Sequence, residues 1–140
     1  MKQSTQLALA QSDIEKAEAR LKALAVLLQE ESYSDVVREA QELVELALKG
    51  ILFQAGIDPP KQHDIGRFFR EMRDQLPQHA AREAERLGAI SERLGRERNV
   101  SFYGDQNFIP IEEYTRQDAE QALDDARFAY QLAKEVIQEE

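Results

Sequence analysis

The stretch "RERNVSFYGD", Arg96 to Asp105, gathers two arginines, an asparagine, a serine and a tyrosine at one point of the chain. A guanidinium fork grips phosphate oxygens at two points, while asparagine and tyrosine supply hydrogen bonds and a ring on which a base can stack. Arg96, Arg98, Asn99 and Tyr103 are therefore the candidates for holding a nucleotide or an RNA phosphate. The plainer alternative pairs the arginines with surface carboxylates and uses the aromatic rings to close the end of a core.

The charge balance sharpens the question. The chain has 140 residues and a formal net charge of −9, which repels polyanions at long range and disfavours unspecific binding to nucleic acid or anionic lipid. A phosphate-bearing ligand must therefore meet a local basic patch. One is available: Lys61 to Arg98 holds nine Lys/Arg against seven Asp/Glu, whereas Glu112 to Glu140 holds three against nine. With no cysteine, disulfides, thiolate metal sites and cysteine nucleophiles are excluded. The N-terminal apolar run is too short for a signal segment and nothing is long enough to span a membrane, so a cytoplasmic protein is expected. Two histidines, His63 and His79, do not form a histidine metal motif; no metal and no cofactor is expected.

The elements that must position the candidate residues are helical throughout. Ser12-Asp13-Ile14-Glu15 reads as a capping box, and Ile14, Ala17, Leu21, Leu24 and Leu28 follow at helical spacing, which predicts a first helix from about Asp13 to Glu31. A second begins after Ser34 with a broad apolar face from Val36 to Leu52 and ends at Gly56. "IDPPKQ" is a stiff connection. A third helix starts at His63 or Asp64, carries Ile65, Phe68, Phe69, Met72 and Leu76, and stops at Pro77. A fourth carries Ala80, Ala84, Leu87, Ile90 and Leu94. "YGDQNFIPIEEY" reads as an ordered loop, and Thr115 caps a last helix through Ala119, Ala122, Leu123, Ala126, Ala129, Tyr130, Ala133 and Ile137. The expected fold is all-α: an antiparallel up-and-down bundle of about five helices in one domain over 1–140, with its core at about 12–138.

Were the fourth helix to continue past Gly95, Arg96, Asn99 and Tyr103 would share one stripe. Ser101 would extend the stripe of Leu87 and Leu94. The polar trio would then look away from the protein's own core, towards water or a partner subunit.

At these residues the chain resembles a family. "RERNVSFY" is similar to the signature of HEPN domains, small helical proteins named for nucleotide binding in higher eukaryotes and prokaryotes, in which an arginine, a polar residue and a short variable run lead to a histidine, often with a tyrosine two positions on. In one register Arg96, Glu97, Ser101 and Tyr103 take the arginine, polar, histidine and tyrosine positions. In the other, Arg98 and Asn99 begin the motif and Tyr103 stands at the histidine position. The likeness extends through "SYSDVVREAQELVELALKGILFQAGIDPPKQHDIGRFF" and "YTRQDAEQALDDARFAYQLAKEVI", about Ser32 to Ile137.

The resemblance implies a dimer whose motif arginines meet in a cleft, metal-free RNA cleavage in active members, and, in many prokaryotic ones, a toxin paired with a small nucleotidyltransferase antitoxin. Metal-free cleavage needs an arginine for the scissile phosphate and a base for the ribose 2′-hydroxyl. Neither register supplies the histidine, and neither serine nor tyrosine replaces imidazole near pH 7 without strong activation. The expectation is that ribonuclease activity is absent or much reduced, leaving the binding of a nucleotide, RNA or protein. If the protein is active, Arg96, Ser101 and Tyr103 are its catalytic candidates. Tyr103 also matches the tyrosine that, in some members, accepts a nucleotide from the partner enzyme; alternatively its ring closes the bundle end with Phe102 and Phe108.

The remaining candidates have simpler roles. His63, with Asp64, reads as a cap for the third helix, and as a stand-in base only if folding carries it to the motif. His79 reads as a solvent-exposed residue near a helix start. Glu39, Glu42 and Glu45, even with Glu30 or Glu31, read as a solvated face and not as a metal site. Asp124, Asp125, Glu135, Glu139 and Glu140 read as an acidic outer face that could receive a basic partner. Three functional readings stand at this point: a dimeric nucleotide- or RNA-binding module that partners another protein, a metal-independent ribonuclease, and a structural interaction module with no nucleotide ligand.

Overall fold

The computed structural model describes residues 2–61, 64–103 and 114–138, with side chains described for 4–61, 64–95 and 114–137. Six α-helices account for almost all of it: α1 Lys2–Gln29, α2 Tyr33–Gln54, α3 Ile65–Glu71, α4 Gln78–Arg82, α5 Ala84–Tyr103 and α6 Arg116–Gln138, with a 3₁₀ turn at Arg73–Gln75 between α3 and α4. No strand occurs among the described residues. The all-helical bundle expected from the sequence is the observed architecture.

α2 is the central element because its apolar face is the widest. Val36, Val37, Ala40, Leu43, Val44, Ala47, Leu48, Ile51 and Leu52 are all fully buried, and α2 packs against α1, α5 and α6. Burying one of the Val, Leu or Ile side chains is worth about 1.5–3 kcal/mol. α1, α2, α5 and α6 alternate in direction along the chain, so α2 and α6 run parallel. Arg116 accordingly lies over the Tyr33 ring at one end, and Ile137 lies beside Gly50 at the other. The buried face of α6 includes Ala119, Ala122, Ala126, Ala129 and Ala133 beside the larger Leu123, Tyr130, Leu132, Val136 and Ile137, and the alanines are small enough for helices to approach closely.

Turn chemistry sets the helix ends. α2 closes in a Schellman arrangement: Gly56 takes φ 80°, its N–H donates to the Phe53 carbonyl, and the Ile57 N–H donates to Leu52. Glycine adopts that conformation without a Cβ clash. α1 ends the same way with Glu31 at φ 61°; Glu31 N–H donates to Leu28 and Ser32 N–H to Leu27. At α6 the cap is reciprocal, as expected for Thr115: Thr115 Oγ1 accepts from the Asp118 N–H at 3.1 Å, and Asp118 Oδ2 accepts from the Thr115 N–H at 3.0 Å.

Three boundaries differ from the sequence pattern. α1 begins at Lys2, well before the capping box at Ser12, because residues of good helix propensity are held there by tertiary contacts: Ala10 is fully buried, Gln6 is nearly so, and Gln6 Nε2 donates to Asp58 Oδ1 at 2.8 Å. The expected third helix is an α-helix ending at Glu71 followed by a 3₁₀ turn. The expected fourth is broken at Glu83 into α4 and α5, and Glu83 N–H donates to Ala80 in the turn between them. The expected loop between Tyr103 and Tyr114 lies outside the described residues, and Tyr114 at its far end is buried.

Candidate functional site

α5 places the candidate residues. The helix runs without interruption from Ala84 to Tyr103, so the condition for a shared stripe is met. Seven-residue steps back along α5 give each candidate position its neighbourhood in the described part of the helix. Arg96 and Tyr103 continue the stripe of Ala89, which is exposed. Asn99 continues the stripe of Glu92. Ser101 continues that of Leu87 and Leu94, both fully buried, and Arg98 continues that of Ala84 and Ser91, both buried. The two registers therefore differ in position along the helix: 96 lies two turns on from the exposed Ala89, and 98 lies two turns on from the buried Ser91. The side chains of Arg96, Arg98, Asn99, Ser101 and Tyr103 lie outside those described.

Just before these turns, α5 is fastened to its neighbours by polar contacts that sequence reasoning missed. Arg93 of α5 forms an ion pair with Asp125 of α6, whose side chain is only 8% exposed, and Gln121 Nε2 donates to the second oxygen of Asp125 at 3.2 Å. Asp125 is thus not part of the acidic outer face expected for it. Its place three residues after Ala122 and four before Ala129 was the signal that puts it on the buried stripe. Across the bundle, Gln41 of α2 is buried and donates from Nε2 to Glu45 Oε1 at 3.1 Å. It lies against Gly95, where a methyl group would stand 3.7 Å from Gln41 Nε2. Gln41 Oε1 is buried without a hydrogen-bond partner among the described atoms.

α3 steadies α5 from another side. Gly66 and Gly88 mark a close crossing, with Ser91 packed beside Gly66. Arg70 reaches from α3 to Glu92 of α5 at 2.6 Å.

The other candidates fall elsewhere. Asp64 takes the N-cap position of α3 with left-handed φ of 50° and makes no side-chain cap hydrogen bond; only its carbonyl serves, accepting the Phe68 N–H at 2.9 Å. The expected carboxylate cap is absent because that backbone conformation turns the chain differently from the extended one that capping requires. His63 lies outside the described residues. His79, expected to be solvent-exposed near a helix start, does stand at the start of α4 but is half-buried there and pairs through Nε2 with Glu135 Oε2 at 3.1 Å. The two border a pocket of about 360 Å³ with Arg82, Phe128 and Leu132, and the Arg86 guanidinium stands 3.6 Å from the centre of the Phe128 ring. That pocket is at the α4 end of α5, whose first residue, Ala84, is about 18 Å along the helix from Arg96 and about 28 Å from Tyr103 at 1.5 Å per residue, so His79 and the motif residues are not brought together within one chain.

The acidic groups do not converge. Glu39 pairs with Arg20 at 2.6 Å, Asp124 with Arg127 at 3.4 Å, and the Glu31 carboxylate accepts from the Tyr33 hydroxyl at 3.4 Å. Among the described residues no three His, Asp or Glu side chains cluster as metal ligands, and no helix is long and apolar enough to cross a membrane. Glu139 and Glu140 lie outside the described residues.

Burial shifts two groups in the body of the bundle. Desolvation raises the Asp13 carboxyl above its ordinary value, against the opposing pull of Lys16 and Lys49. It also raises Tyr130, whose hydroxyl donates to Glu18 Oε2 at 2.9 Å.

Comparison with known proteins gives two findings. Residues 10–136 match the HEPN domain. A protein of Methanocaldococcus jannaschii carrying the name "Putative toxin MJ1304" is 29% identical over 132 residues, covering 90% of this chain and 86% of that one. No solved structure gives a significant match.

Proposed function

This chain belongs to the HEPN domain family, and from that premise we propose that it is a dimeric module that binds the phosphate of a nucleotide or RNA through the end of α5 and works beside a protein partner, of which a nucleotidyltransferase is the leading kind. Arg96 grips phosphate, Asn99 and Tyr103 offer hydrogen bonds and a stacking surface, and Arg98 adds positive charge. One observation carries the reading: α5 stays helical through Tyr103, so positions 96, 99 and 103 fall within one narrow stripe that continues from the exposed Ala89 and the half-buried Glu92. The position that the family gives to histidine falls on Ser101 or Tyr103, so the site has positive charge without a proton acceptor matched to neutral pH.

Binding of a fluorescent single-stranded RNA and of a nucleoside diphosphate, each compared between the wild type and Arg96→Ala, tests this. A charge-assisted contact is worth about 1.5–3 kcal/mol, so the variant is expected to bind about 10- to 100-fold more weakly. Equal affinity, or no saturable binding by the wild type, would remove the phosphate-binding reading.

A second reading, a metal-independent ribonuclease toxin, draws support from the name of the archaeal relative. Cleavage of mixed tRNA and mRNA in EDTA, present in the wild type and absent in Arg96→Ala, would establish it and bring Ser101 and Tyr103 forward as the proton-handling groups.

A further inference from the structure

We propose that α1 carries an interface of its own, onto which a second copy of this chain docks its α1 in antiparallel orientation. The large hydrophobic side chains left exposed among the described residues all belong to α1: Leu9 and Val26, at 42% and 58% exposure, lie on its outer side, and Leu7, at 41%, lies on another face about 200° round the helix from Leu9. α1 already spends one apolar seam, Ala10, Ile14, Ala17 and Leu24, on the core. On its outer side Leu9, Ser12, Lys16, Ala19, Ala23 and Val26 follow at alternating steps of three and four, the spacing of a seam that receives another helix. Five of these six are exposed and Ser12 is half-buried. The seam extends for about 26 Å at 1.5 Å per residue, and beside it runs an open groove of about 660 Å³ that reaches Glu39 of α2.

Charge selects the occupant. The whole chain carries −9, yet α1 holds four Lys/Arg against three Asp/Glu. Two copies meeting through α1 therefore avoid the acid-on-acid contact that most other approaches would create. The seam is also complementary to itself in one direction only. In an antiparallel pair Leu9 lies over Val26 of the other copy, Ser12 over Ala23 and Lys16 over Ala19. The long ammonium side chain crosses a small residue, and the two large apolar side chains meet at both ends. Beside these layers Glu15 approaches Lys22 of the other copy; Lys22 has no ion-pair partner among the described residues. A parallel pair would set Lys16 against Lys16 in the middle of the seam, a repulsive arrangement.

The contact is small against the roughly 800 Å² per partner of a standard interface, and its central layers are alanine, so the association is weak and concentration-dependent. α2 stands between α1 and α5. The α1 contact therefore neither uses nor blocks the end of α5, and chains already paired at that end would be joined by α1 into larger assemblies.

The absence of cysteine permits a direct test. Leu9→Cys and Val26→Cys are prepared separately, mixed at high protein concentration and oxidised. The expected result is a cross-linked dimer in the mixture and little in either variant alone. Self-linking of each variant to the same extent, or no cross-link in the mixture, would overturn the proposal. Sedimentation of two further variants at the exposed Ala19 provides the second readout. Ala19→Lys faces Lys16 of the other copy and should weaken self-association by about tenfold or more, whereas Ala19→Glu should preserve or tighten it. Equal disruption by both charges, or none by either, would rule out the antiparallel register. The outcome is independent of whether the end of α5 binds a ligand.

Discussion

Gly66 and Gly88 face each other where α3 crosses α5, each backbone filling the space that a side chain of the other would need. A methyl group on Gly66 would stand 2.7 Å from the Gly88 carbonyl oxygen, and one on Gly88 would stand 2.9 Å from the Gly66 carbonyl oxygen. The obstacle is backbone, which cannot swing aside as a side chain can. Gly66→Ala should therefore force the helices apart and cost about 1–3 kcal/mol, the usual range for overpacking. Urea unfolding followed by circular dichroism measures it; an unchanged midpoint would mean that the crossing is looser than described.

Glu31 should be improvable. It closes α1 with φ 61°, a conformation that costs a side-chain-bearing residue about 1–2 kcal/mol and glycine almost nothing. Part of that gain is lost to the greater freedom of glycine in the unfolded chain. Glu31→Gly is expected to raise stability by about 0.5–1 kcal/mol, read as a higher urea midpoint with an unchanged slope.

Asp13 makes a prediction in pH. Asp13 is buried with its Cβ against Gly50, one carboxyl oxygen lacks a partner among the described atoms, and desolvation raises its pKa from 3.8. Between the unfolded value and the raised folded value the folded protein binds the extra proton. The contribution of Asp13 to stability is therefore complete below the unfolded pKa, falls as pH rises through the folded pKa, and is a standing cost above it. Asp13→Asn should melt higher than the wild type at pH 7, and the difference should shrink towards pH 4. A variant less stable at pH 7 would show that Lys16 and Lys49 outweigh the desolvation.

The parts of this protein that were legible in its sequence are those written in local periodicity and turn chemistry. The apolar stripe of α2, the glycine at 56 and the Thr115 cap each depend on residues within a few positions of one another. The first turns of α1 depend on Gln6 meeting Asp58, and the role of Asp125 depends on Arg93, pairs separated by 52 and 32 positions. No local pattern announces such contacts, although the position of Asp125 on an alanine face was a usable sign. The break at Glu83 has neither proline nor glycine to mark it. At the candidate site, the stripe shared by Arg96, Asn99 and Tyr103 was readable because it needs only the continuation of one helix. The polar layer of Gln41, Arg93 and Asp125 beneath it comes from three helices and was not.

Arg93 and Asp125 offer the sharpest test of how that layer supports the end of α5. Asp125 is almost fully buried while Arg93 retains 38% of its side-chain exposure, so water partly screens the pair and its loss should cost less than that of a fully buried one. About 1–3 kcal/mol is expected for Asp125→Ala, between the values for exposed and enclosed pairs. Most of that cost comes from leaving the arginine without its carboxylate in a half-enclosed place, so Arg93→Leu combined with Asp125→Leu should destabilise less than Asp125→Ala alone. A double-mutant cycle in urea measures the coupling directly. Because Arg96 follows only three residues after Arg93, the proposed RNA binding at the end of α5 predicts that Asp125→Ala also weakens that binding at temperatures where the protein remains folded. The doubly apolar variant, which holds α5 by packing, should bind more nearly as the wild type does. Full affinity in Asp125→Ala would mean that the last turns of α5 keep their direction without help from α6.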